Sequence, residues 1–183
     1  MKGAARRVVL FGPESTGKTT LARRLAAHYG TTWVPEFLRD YVERRLPGLS
    51  PGAPLVLESD LEAIVAGQVM AEDEIARQAS RVVFCDTDPL QTAVYAEHYF
   101  GRCPEWLAGL ARQRRYDLTL LLDVDVAWAP DPQRDRPLQR AELYALFLAT
   151  LEGHGGRPFV RIGGDWPQRE AAALEAVDAL LAS

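Results

Sequence analysis

Eight residues, Gly12-Pro-Glu-Ser-Thr-Gly-Lys-Thr19, fit the spacing Gly-x-x-x-x-Gly-Lys-[Ser/Thr]. These residue types in this order suit one kind of chemistry. The glycines let backbone approach a phosphate closely, and the loop N–H groups with the following helix N-terminus supply partial positive charge. A lysine here reaches β- and γ-phosphates, and a hydroxyl at the last position can sit on Mg²⁺. The flanks complete the pattern. Val8, Val9 and Leu10 read as a short buried strand, and a helical pattern follows at once with Leu21, Leu25 and Ala26 on one face. Gly12, Pro13, Glu14, Ser15, Thr16, Gly17, Lys18, Thr19 and Thr20 are therefore the expected site for ATP.

Phosphoryl transfer also needs a metal to take developing charge and a group that orients or deprotonates the acceptor. Asp86 and Asp88 follow the apolar run Arg81–Cys85. Asp86 is placed to hold Mg²⁺ with Thr19. Asp88 is a second functional candidate, with helix capping as its alternative, since Pro89 suits the first position of a helix. Glu36 follows the β-rich stretch Thr31–Val34 and could take a proton from a hydroxyl or hold a ribose hydroxyl. Arg39, one turn on, could face the same site or pair with Glu36 at the surface. Arg134 and Arg136, with Arg140 beyond, lie in an Asp-, Arg- and Pro-rich segment and could close over a triphosphate. Trp128 precedes those arginines and is the best stacking candidate. The other aromatics, Trp33, Tyr95, Tyr99, Trp106 and Trp166, more commonly serve as core or rim; Tyr95 is counted with the acceptor-binding set. His28, His98 and His154 have no spacing that suggests a ligand set or triad.

Five strands alternating with helices would bring these positions together. The pattern predicts strands at 8–10, 31–34, 81–85, 117–123 and 159–162. Helices are predicted from 20 to 29, 37 to 46, 58 to 79, 89 to 99, 104 to 113 and 140 to 152, with a last one starting at Pro167. This alternation argues for an α/β fold, a parallel sheet with helices on both faces, in which ligands bind beyond the carboxyl ends of the strands. No repeat, low-complexity segment or interdomain linker interrupts it, so residues 1–183 read as one domain.

Bulk properties narrow the class. A net charge of −4 gives no electrostatic reason to expect nucleic acid as a partner, and the arginine pairs are short and scattered. Two cysteines, Cys85 and Cys103, make neither a disulfide framework nor a zinc site. No stretch has the length of a membrane span, and no signal-peptide-like segment precedes the first strand. The expectation is a cytoplasmic protein with a small-molecule acceptor, no nucleic-acid partner and no membrane partner; self-association is left open.

Gly12 to Leu21, Trp33-Val-Pro-Glu-Phe-Leu-Arg-Asp-Tyr41, Asp86-Thr-Asp-Pro-Leu-Gln-Thr92, Tyr99-Phe-Gly101, Tyr116 to Leu122, Trp128 and the Asp131-x-x-Arg134 pattern together resemble the nicotinamide riboside kinase domain of NadR-type proteins, in the P-loop kinase superfamily. The resemblance implies a P-loop NTPase three-layer sandwich with a five-stranded parallel sheet of order 2-3-1-4-5 and an arginine-bearing lid at about 126–140. It implies ATP- and Mg²⁺-dependent phosphorylation of the 5′-hydroxyl of nicotinamide riboside to nicotinamide mononucleotide. In that scheme Lys18 holds the β- and γ-phosphates, and Thr19 and Asp86 hold Mg²⁺. Glu36 is base or ribose anchor with Asp88 able to exchange the role, Arg39 binds near the acceptor, Trp128 stacks on nicotinamide, and Arg134 and Arg136 clamp the transferring group. The alternatives are a P-loop kinase of another nucleoside or small molecule, and a nucleotide-dependent regulatory ATPase or GTPase switch. The guanine-reading Asn-Lys-x-Asp is absent from the sequence. Neither the nucleotidyltransferase domain nor the helix-turn-helix of full-length NadR-type proteins fits this sequence, which lacks His-x-Gly-His, so adenylyl transfer and transcriptional control are not expected. Pro132 stands where that family often has glycine, removing an N–H and stiffening the lid.

Overall fold

The computed structural model describes residues 4–50, 52–126, 140–154 and 156–183. Five parallel strands form one sheet in the order β2-β3-β1-β4-β5, as the resemblance implies: β1 (Arg6–Phe11), β2 (Trp33–Val34), β3 (Val82–Asp86), β4 (Leu118–Leu122) and β5 (Phe159–Ile162). The strands β3 and β4 are buried through their length and mostly apolar, because both faces are covered. Val8 and Leu10 point to one face, where α1 (Lys18–His28) and α7 (Trp166–Ala182) pack through Leu21, Leu25, Ala173 and Val177. Val9 and Phe11 point to the other, against α4 (Pro89–Phe100), α5 (Glu105–Gln113) and α6 (Arg140–Gly153) through Leu90, Val94, Ala111 and Phe147. Also on that side lie α2 (Phe37–Arg45) and α3 (Leu61–Gln78).

Most boundaries fall within two residues of the sequence pattern, and three of the differences are instructive. β2 is only two residues long and pairs with β3 alone, so it is an edge. The predicted helix from Glu58 begins as a 3₁₀ turn, Glu58–Asp60, because the Asp60 carboxylate accepts from Leu57 N and draws the chain into a tight turn first. The last helix starts at Trp166 rather than Pro167. Asp165 accepts from Gln168 N while Gln168 Oε1 accepts from Asp165 N, and this reciprocal cap fixes the start one residue earlier.

Register sets the site. Leu10 lies opposite Asp86, so the end of β3 sits directly beside the loop that leaves β1. No described helix is long and apolar enough to cross a membrane.

Candidate active site

The loop between β1 and α1 lies at the carboxyl end of the central strand. Gly12 has φ +135° and passes so close to β4 that a Cβ would lie 2.8 Å from Leu122 O, which restricts the position to glycine. Gln91 Oε1 accepts from Gly12 N at 3.2 Å, and Thr16 Oγ1 donates to Pro13 O at 2.9 Å. Lys18 Nζ donates to Gly12 O and Pro13 O, both at 2.8 Å, which folds its ammonium back into the loop. Thr19 Oγ1 donates to Asp86 Oδ2 at 2.5 Å. Asp86 is 1% exposed, and its second oxygen is buried without a hydrogen-bond partner. Burial pushes its carboxyl up, while the charge of Lys18 and the Thr19 hydroxyl pull it back down, with Arg39 and Arg23 helping. A hydroxyl and a carboxylate oxygen side by side are hard donors that suit Mg²⁺.

One residue separates Asp86 from Asp88, and it reverses the chain. Thr87 has φ +79°, a left-handed conformation that a β-branched residue takes only under strain of order 1–3 kcal/mol. Its N–H donates to Leu10 O at 3.2 Å. Beyond the turn, Asp88 is the N-cap of α4: Oδ1 accepts from Gln91 N at 2.9 Å, and Oδ2 accepts from Arg157 Nη1 at 2.6 Å. Arg157 also donates to Thr119 Oγ1 at 2.6 Å, and its guanidinium lies over Tyr116 and Phe11. Asp88 is fully buried and does not line the cleft. Both oxygens of Asp88 are thus engaged, one in the cap and one in the ion pair, as its capping alternative leads one to expect.

Glu36, Leu38 and Arg39 line a cleft of about 880 Å³ together with Lys18, Thr19 and Tyr95. Such a volume suits a small organic ligand. Glu36 stands where β2 passes into α2, as its N-cap. Arg39 is near enough for its charge to act on Asp86. Tyr95 stacks with Tyr99 at 5.9 Å and meets the edge of Phe147 at 5.4 Å. Its phenol is pushed up by burial, then by the carboxylates of Glu14 and Glu36. Tyr99 donates to Glu14 Oε1 at 3.1 Å, joining α4 to the phosphate loop.

The sequence pattern did not reveal several residues that shape the site. Arg169 is fully buried in α7. It donates to Thr16 O, Gly164 O and Asp123 O, each at 2.9 Å, and pairs with Asp125, so it ties the phosphate loop to the ends of β4 and β5. A buried arginine at a carboxyl-end loop has no periodic signature. Trp166, at the start of the same helix, lines the cleft and presses against Gly17. Arg140, grouped with the lid arginines in the sequence, is the first residue of α6; it donates to Val126 O at 3.0 Å and Ser15 O at 3.2 Å, joining the end of the lid segment to the phosphate loop. Trp128, Pro132, Arg134 and Arg136 lie outside the described residues.

Among the chain's relatives, the trifunctional NAD biosynthesis/regulator protein NadR of Escherichia coli (strain K12) is 33% identical over 160 residues, 86% of this chain. The chain spans 38% of that relative's length. A crystal structure of NadR protein in complex with NAD and AMP-PNP is 26% identical, with a TM-score of 0.76, over 98% of this chain and 50% of the other. Another, of NadR protein in complex with NR, gives a TM-score of 0.81 at 24% identity over 100% of this chain and 53% of the other, a likeness of fold. The motif resemblance to NadR-type proteins is thus borne out along the chain. A family profile described as AAA domain matches residues 7–169, from within β1 to the buried Arg169, and the chain belongs to that family.

Proposed function

We infer that the chain is a cytoplasmic, ATP-dependent nucleoside kinase, one domain over residues 1–183, that phosphorylates the 5′-hydroxyl of nicotinamide riboside to give nicotinamide mononucleotide. The observation that carries the reading is a single cleft lined both by the phosphate loop and by Glu36 and Arg39. The likeness to NadR proteins supports it.

Donor binding falls to residues 12–20. The loop N–H groups and the start of α1 cradle the phosphates, and Lys18 reaches the β- and γ-phosphates. Thr19 and Asp86 would hold Mg²⁺, which when bound neutralises charge on the phosphate oxygens. Glu36 accepts the proton of the 5′-hydroxyl as that oxygen attacks the γ-phosphorus, or anchors the ribose through its hydroxyls. Arg39 binds beside the acceptor, and Tyr95 forms the floor beneath it. Trp128 stacks on the pyridine ring, and Arg134 and Arg136 clamp the transferring phosphoryl group.

The test is a panel of nucleosides with ATP and Mg²⁺, following ADP release. Nicotinamide riboside should stimulate turnover most. Stimulation by a different nucleoside alone would overturn the substrate and leave the kinase. ADP release that no acceptor changes would favour a regulatory ATPase.

A further inference from the structure

The Glu36 side chain makes no cap hydrogen bond to α2, although it is the helix's N-cap. A residue there commonly turns its side-chain oxygen onto the N–H groups of its own first turn. The first N–H of α2 is satisfied from another helix instead. Gln68 Oε1, on α3, accepts from Phe37 N at 2.9 Å. Gln68 is 3% exposed, and its amide is oriented from behind: Nε2 donates to Glu72 Oε1 at 3.3 Å. Glu72, also fully buried, accepts from Tyr116 Oη at 2.7 Å and from Arg114 Nη2 at 2.9 Å.

The preceding residue of α3 grips the same residue of α2. A Cβ at Gly67 would lie 2.2 Å from both Cε1 and Cζ of Phe37. The missing side chain is therefore a notch that the phenyl ring fills. Ring and N–H of Phe37 are held by two consecutive residues of α3, and Phe37 directly follows Glu36.

We propose that Gln68, with Gly67, is a positioning residue of the acceptor site: by holding the N–H and the ring of Phe37 it fixes the start of α2, and with it the place of the adjoining Glu36 at the acceptor. This rests on the reading that Glu36 faces the acceptor hydroxyl. The clamp is carried by α2 and α3, whereas β1 and α1 carry the phosphate loop. Displacing a reacting group by about an ångström lowers rate by on the order of 10²-fold.

Gln68→Met keeps the length of the side chain and removes the acceptor. It should lower acceptor-dependent kcat by about 10- to 100-fold while KM for ATP stays within about twofold. Gly67→Ala should give the same pattern by pushing the Phe37 ring, and adding Phe37→Leu to Gly67→Ala should restore most of the lost rate. That rescue also serves if Gln68→Met does not fold. Parent kcat in Gln68→Met, or a rise in acceptor KM alone, overturns the proposal. So does a fall that tracks lost folded protein with no rescue by Phe37→Leu. Wild-type protein with no acceptor-dependent transfer overturns the functional reading, and this inference with it.

Discussion

Glu36 and Asp88 look alike in the chain. Each is a carboxylate just past a strand, and each is the N-cap of the helix that follows. Their surroundings separate them. Asp88 caps α4 itself and neutralises buried Arg157, so it holds the sheet's end together. Glu36 makes no side-chain cap bond to α2, whose first N–H is held by Gln68, and it lines the cleft. The same place in the chain thus gives one acid a structural task and sets the other in the wall of the cleft.

That contrast breaks if the two respond alike to loss of charge. Glu36→Gln should lower acceptor-dependent kcat by about 10²- to 10⁴-fold, the range of general-base catalysis, with little change in thermal midpoint. Asp88→Asn should do the reverse. Removing one partner of a buried ion pair costs about 3–5 kcal/mol, read in denaturant unfolding, while kcat of the protein that remains folded changes only a few-fold. Replacing both partners, Asp88→Asn with Arg157→Met, should recover part of that loss, because no unpaired charge is left buried.

The smallest effect lies behind Gln68. Burial pushes the Glu72 carboxyl from an ordinary 4.5 up to about 6, against the pull of Tyr116 and Arg114. The folded state therefore binds its proton more tightly than the unfolded chain does. Stability from this group is present below about 4.5 and declines by on the order of 2 kcal/mol as pH rises through 6. Glu72→Gln should flatten that decline in a series of unfolding curves between pH 4.5 and 7. The neighbouring Asp73 acts oppositely. Hydrogen bonds from Arg114 lead in lowering it to about 2, so its contribution is present above 3.8 and fades only as pH falls toward 2.

The sheet and the donor loop were legible in the sequence because each has a local signature. Apolar runs mark β1, β3 and β4, and the phosphate loop has fixed spacing. Asp86 followed from its place at the end of an apolar strand. The roles of Gln68, Arg157 and Arg169 were not legible, since each acts on a partner far along the chain. Arg157 meets Asp88 across 69 residues, and Arg169 meets Thr16 across 153. The turn that divides Asp86 from Asp88 rests on a left-handed threonine, which nothing in composition announces. Pro89 favoured the capping role of Asp88, and that weaker signal matched the geometry.

The most direct test of the account is the position of the new phosphate. Nicotinamide riboside incubated with the protein, ATP and Mg²⁺ should give a monoester whose phosphorus couples to the two 5′-methylene protons in the ³¹P spectrum. A phosphorus coupled to a single ribose proton, or inorganic phosphate as the only new signal, would contradict it.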